Sequence, residues 1–128
     1  MENDIGTVLS PFGPMSRKGN GLIYYYKADN ISIDKQIAEK LLAIVSRLDN
    51  SGAAKIIVIQ GHHVEYSFEA QRILLTSKVL AKIAYVIQTE TQYVTAELLK
   101  DIAKTFKSHI EVGVFPLVEE AEAWLLES

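Results

Sequence analysis

Imidazole, carboxylate and hydroxyl groups fall together most densely in His62-His63-Val64-Glu65-Tyr66-Ser67. Imidazole and carboxylate both offer lone pairs to zinc, and a hydroxyl beside a histidine is the beginning of a nucleophilic triad. The spacing serves neither chemistry well. Adjacent histidines on extended chain point to opposite sides, and no third ligand stands close in sequence. Ser67 lacks the G-x-S-x-G surroundings that expose a strained nucleophile at a strand end; capping the helix that follows is the role its position predicts. His109, alone between Ser108 and Ile110, reads as a polar loop residue.

Other chemistries are poorly equipped too. Neither phosphate-cradling motif, G-x-G-x-x-G or G-x-x-x-x-G-K-[ST], occurs, and Ile59-Gln60-Gly61-His62 offers a single glycine. A phospho-accepting response regulator needs an acid where Gln60 and Gln88 stand. Glu119, Glu120 and Glu122 suit the first turn and solvated face of a helix, where negative charge meets the positive end of the dipole. With no cysteine, thiol catalysis and thiolate metal sites are excluded. The sequence therefore predicts no catalytic residue, no metal and no cofactor, and a chain that is not an enzyme.

The elements that position these residues follow from periodicity. Residues 1–21 hold two of the three prolines and four of the seven glycines, which predicts an irregular lead-in ending in a hairpin arm. A short strand near Phe12–Arg17 is expected to turn at Lys18-Gly19-Asn20-Gly21. Leu22–Lys27 (LIYYYK) is aromatic-rich strand, with Leu22, Tyr24 and Tyr26 on one face and Ile23 and Tyr25 on the other. The three tyrosines are expected to pack on the sheet with hydroxyls reaching water. Asp34 caps a helix to about Asp49 whose Ile37, Leu41, Ile44, Val45 and Leu48 make one buried face. Lys55–Gln60 is a β-branched run of the kind covered on both faces.

A loop, Gly61–Tyr66, precedes a helix from Ser67 to about Thr76. Lys82–Gln88 is the next buried strand, and Thr89 with Gln92 forms a capping box. Val94, Leu98, Ile102 and Phe106 are expected as the buried stripe of the following helix. Glu111–Phe115 is the last strand, and Val118–Leu126 a terminal helix burying Ala121, Trp124 and Leu125. Strands alternating with helices predict an α/β fold with a mostly parallel sheet of helix–strand repeats, carrying an N-terminal antiparallel hairpin strand at an edge. Residues 22–128 then form a single domain behind the 1–21 arm.

Composition narrows the setting. At 128 residues, 48% hydrophobic and 23% charged, the chain suits one globular core. A net charge of −3, with basic residues scattered singly apart from Arg17-Lys18, disfavours nucleic acid. No apolar run is long enough to span a membrane, and Met1-Glu2-Asn3-Asp4 lacks the pattern of a signal peptide. A cytoplasmic protein is expected.

Several segments in order resemble the STAS-like superfamily, founded on bacterial anti-sigma-factor antagonists, and within it small stand-alone STAS/SEC14-type bacterial proteins of unassigned function. These segments are Gly21–Lys27 followed by Ile33-Asp34, Ser67-Phe68-Glu69-Ala70-Gln71, Ile83–Ile87, and Val114-Phe115-Pro116 with Glu119-Glu120-Ala121-Glu122-Ala123-Trp124-Leu125. The resemblance covers more than four-fifths of the chain. It implies a STAS-like fold and a regulatory, protein-interaction role. The serine phosphorylated in anti-sigma-factor antagonists falls on Phe68, so Ser67, one residue before it, is the hydroxyl left for phosphorylation. The helix following that family site has Gln71 where the branch has arginine, with Arg72 next to it.

The expected contact surface is the loop Gly61, His62 and His63 together with the helix start Ser67, Phe68, Glu69, Gln71 and Arg72. In parallel sheets, strand C-terminal ends and following helix N-termini are where ligands gather. The second function expected from the SEC14-type resemblance is carriage or sensing of a small apolar or carboxylate ligand between sheet and helices. An aromatic edge hairpin would also let two copies pair into a homodimer.

Overall fold

The structure, a computed structural model, describes residues 4–127. Along the chain run β1 (Asp4–Val8), β2 (Met15–Lys18), β3 (Ile23–Tyr26), β4 (Ile31–Ile33), α1 (Lys35–Leu48) and β5 (Ala54–Ile59). They are followed by β6 (Val64–Tyr66), α2 (Phe68–Leu75), β7 (Leu80–Val86), α3 (Glu90–Thr105), β8 (Glu111–Phe115) and α4 (Val118–Leu126). Six strands form one sheet in the order β1-β2-β3-β5-β7-β8. The first three are antiparallel to their neighbours in a meander, and β3, β5, β7 and β8 are mutually parallel. The expected α/β architecture with a mostly parallel sheet and an antiparallel hairpin is present.

Local chemistry accounts for the turns and caps. The β2–β3 turn closes with the Gly21 amide on the Lys18 carbonyl at 2.9 Å and the Lys18 amide on the Leu22 carbonyl at 3.0 Å. Gly21 sits at φ 87°, which costs a residue without Cβ nothing. Asp34, Ser67 and Thr89 cap α1, α2 and α3, each side-chain oxygen accepting a backbone amide of the first turn.

The parallel strands are covered on both sides, as their unbroken β-branched runs require. On one face α1, α2 and α3 bury Leu41, Val45, Ala70, Leu75, Ala96 and Leu99 against Ile23, Tyr25, Ile56, Val58, Ile83 and Tyr85. On the other, α4 lays Ala121 and Leu125 on Leu22, Tyr24, Ile57, Ala84 and Val86. Trp124 is half-buried at the margin of that second core, 5.4 Å from Phe115 between ring centroids. Each fully buried aliphatic side chain contributes roughly 1.5–3 kcal/mol through removal of its surface from water.

Four sequence expectations are corrected. Asp4–Val8, which reads as irregular, is strand β1 and forms the sheet edge. The aromatic strand β3 is therefore interior, between β2 and β5, so the edge hairpin on which pairing of two copies rested is not aromatic. The stretch Gly61–Tyr66 is not all loop: Val64–Tyr66 is β6, which pairs in parallel with β4 as a separate two-stranded ladder. Tyr24 and Tyr25 keep their hydroxyls within the protein, Tyr24 donating to the Glu122 carboxylate and Tyr25 to the Phe12 carbonyl at 2.7 Å. Glu122 is thus engaged rather than merely solvated.

The fourth correction concerns α3. Its buried residues are Gln92, Ala96, Leu99 and Ala103, and Val94 and Leu98 stand 61% and 52% exposed. A row at four-residue steps drifts about 40° per step around a 3.6-residue helix. The Val94–Leu98–Ile102–Phe106 row consequently enters the core only at its C-terminal half, where Ile102 and Phe106 pack.

Candidate functional site

The C-terminal ends of β3, β5 and β7, together with β6 and the start of α3, converge on one end of the sheet, and α2 follows directly from β6. Of the residues expected there, His62, His63, Ser67, Phe68, Glu69 and Arg72 are exposed. His62 is held through its backbone: its amide donates to Asp29 Oδ1 at 2.8 Å and its carbonyl accepts from the Asn30 amide at 2.8 Å. His63 takes φ 56°, the left-handed region. Ser67 ends the β4–β6 ladder, its amide on the Ile33 carbonyl at 2.9 Å, and its hydroxyl accepts from the Ala70 amide at 3.0 Å.

Two residues of the expected contact surface serve other ends. Gly61 is buried, and a Cβ there would lie 2.5 Å from the Ala28 carbonyl oxygen, so its smallness lets two backbones meet. Gln71 is half-buried and turns its Nε2 back to the Tyr66 carbonyl at 3.3 Å. Neither is a free side chain for a partner.

Between β6–α2 and α3 runs a groove in two connected parts. One, of ≈ 290 Å³, is lined by Gln60, His63, Glu65, Thr91 and Thr95 among others. The second, of ≈ 350 Å³, shares Val64, Glu65 and Thr95 and adds Tyr66, Gln71 and Leu98. His63 and Glu65 share the first part, yet among the described residues no three His, Asp or Glu side chains cluster closely enough to hold a metal ion. Phe68, 64% exposed, meets the ring of Phe106, at the C-terminal end of α3, edge-on at 5.8 Å between centroids. Leu98, in the second part of the groove, and Val94, one turn before it on α3, are exposed as well.

Gln92 fixes the neighbouring corner. Its Oε1 accepts from the amides of Gln88 and Thr89 at 2.6 and 3.2 Å, and its Nε2 donates to the carbonyls of Gln60 and Gly61, both at 3.1 Å. A capping glutamine readable from sequence therefore also ties the N-terminus of α3 to the end of β5, which sequence does not reveal.

Sequence reading passes over Lys27 altogether. It is 8% exposed, at the end of β3. Its Nζ lies 4.4 Å from the ring centroid of Tyr66, 5.5 Å from that of Tyr85 and 5.7 Å from that of Tyr25. Burial pushes its amine well below the ordinary lysine range. Burial likewise raises the hydroxyls of Tyr85 and Tyr25, the latter with a further push from Tyr85. A signal was available: alternation from Ile23 and Tyr25 puts residue 27 on the same core-facing side.

No family model matches the sequence, and neither curated proteins nor solved structures give a match. Among the described residues no helix is long and apolar enough to cross a membrane.

Proposed function

We propose that this chain is a STAS-like, non-enzymatic regulatory module of the cytoplasm that meets a protein partner at the 61–72 surface, extended onto the first half of α3. One observation carries the reading: Leu98 is a large apolar side chain more than half exposed in the wall of a groove between β6–α2 and α3, and Phe68 and Val94, on the same two helices, are more than half exposed as well. Apolar residues grouped around a concavity are the usual centre of a protein contact, with polar groups at the rim. Here His62, Glu69 and Arg72 supply that rim. The order of parallel strands with α1, α2 and α3 on one face also suits the STAS-like resemblance. Ser67 would be the point of control, because a phosphate on an N-cap residue adds charge where the helix dipole favours it and changes the surface beside Phe68.

The test uses a photo-crosslinking residue at Phe68 or Leu98 in cells producing the full chain. Both positions are expected to give the same discrete adduct, and Lys40, on α1, none. Phe68→Asp is expected to weaken capture of that partner at least about tenfold while changing stability by less than about 0.5 kcal/mol. Equal adducts from Lys40, or capture indifferent to Phe68→Asp, would refute the assignment.

A further inference from the structure

Between the sheet and the pair α1–α2 lies a cavity of ≈ 40 Å³ into which Lys27 projects. Its wall is apolar and aromatic, with Met15 from β2, Tyr25, Tyr66 and Tyr85 from three further strands, and Leu41 and Leu74 from the two helices. None of these elements brings an acid to Lys27. Among the described residues the ion pairs are Arg17–Asp49 and Lys82–Glu111, both elsewhere. Lys27 Nζ meets tyrosine rings, and the hydroxyl of Tyr66, which also lines this space, is buried and has no hydrogen-bond partner. Tyr66 lines both this cavity and the ≈ 350 Å³ groove, so it stands in the wall that separates them.

A buried hydroxyl without a partner, beside a buried amine surrounded by ring faces, is costly to keep. Both are able to donate, and what they lack is an acceptor. We propose that this cavity binds a small organic carboxylate, its oxygens accepting from Lys27 Nζ and the Tyr66 hydroxyl and its short apolar chain lying against Leu41 and Leu74. A monoanion fits better than phosphate, because one lysine supplies one positive charge and there is no arginine or cluster of backbone amides in the wall. Size limits the chain. A water needs roughly 10–15 Å³ by this measure, so the space suits an acid of about two or three carbons.

The proposal carries a signature that a merely structural lysine lacks. Burial disfavours the charged amine in the empty site, and an anion beside it restores the proton. Binding is thus accompanied by proton uptake, and affinity falls as pH rises.

The experiment is calorimetric titration of the full chain with sodium propionate between pH 7 and 9, in phosphate and in Tris, with propanol and propylamine as controls. Expected are propionate binding with up to one proton taken up, affinity falling by up to about tenfold per pH unit, and no binding of the controls. Lys27→Met is expected to weaken binding at least about 30-fold, and Tyr66→Phe, which keeps the ring packing, about fivefold. Absence of propionate binding, binding without proton uptake, or equal binding by propanol would overturn the proposal. Unchanged affinity in folded Lys27→Met or in Tyr66→Phe would overturn it as well. None of these outcomes bears on the protein-contact surface around Phe68, whose test is separate.

Discussion

Two buried glutamines stand side by side at the end of this sheet and differ in every other respect. Gln92 makes four hydrogen bonds, two as acceptor and two as donor, and one of its acceptors is the backbone carbonyl of Gln60. The Gln60 side chain, equally buried, makes none with either of its amide atoms. The Gln92 corner is thus a closed account of donors and acceptors, which rigidifies the junction of β5, β7 and α3. The corner of Gln60, Lys27 and Tyr66 is open, with polar groups out of water and unmatched. The same end of the fold combines a satisfied corner and an unsatisfied one.

Stability measurements can break that contrast. The largest effect is expected from Gln92→Ala, which orphans two amides and two carbonyls in one step. A loss of about 2–4 kcal/mol in denaturant unfolding is expected, and a loss under 1 kcal/mol would mean that water already serves this corner. Lys27→Met should act in the opposite direction, stabilising the ligand-free protein by about 1–3 kcal/mol at pH 7 by removing an unpaired buried amine. The sign depends on pH in a defined way. The folded-state amine titrates below its unfolded value near 10.5, so between the two the unfolded chain binds more protons and wild-type stability rises with pH. The advantage of Lys27→Met should therefore shrink as pH climbs and vanish above about pH 10.5. An advantage independent of pH would point to packing alone.

The smallest effect is expected at Gln60. Gln60→Leu replaces two unmatched polar atoms with hydrocarbon of similar size and should gain about 1 kcal/mol or less. A clear loss in the same unfolding assay would show that the Gln60 amide is matched in solution, and would sharpen the contrast by confining the open corner to Lys27 and Tyr66.

Much of this architecture was legible in advance, because periodicity and capping are local. The runs KIIVIQ and KIAYVIQ can only be strands covered on both faces. Asp34, Ser67 and the Thr89–Gln92 pair start helices through bonds that span three residues. His62, His63, Ser67 and Phe68 were also legible as a surface at the sheet's open end. Less legible were features set by neighbours distant in sequence. The pairing of β4 with β6 joins segments about thirty residues apart, each three residues long, too short to carry a pattern. Val94 and Leu98 look like core by spacing, yet the anchoring of Gln92 fixes the rotation of α3 and turns them outward.

Sequence by itself determined the order and type of the main elements and the capping residues, since these depend on a residue and its near neighbours. Tertiary structure alone decided that Lys27 meets three tyrosines from three strands, that Gln92 reaches across to β5, and that Val94 and Leu98 of α3 face solvent. Burial and hydrogen-bond satisfaction are properties of what surrounds a side chain, and for these residues the surroundings come from segments that only the folded chain brings together.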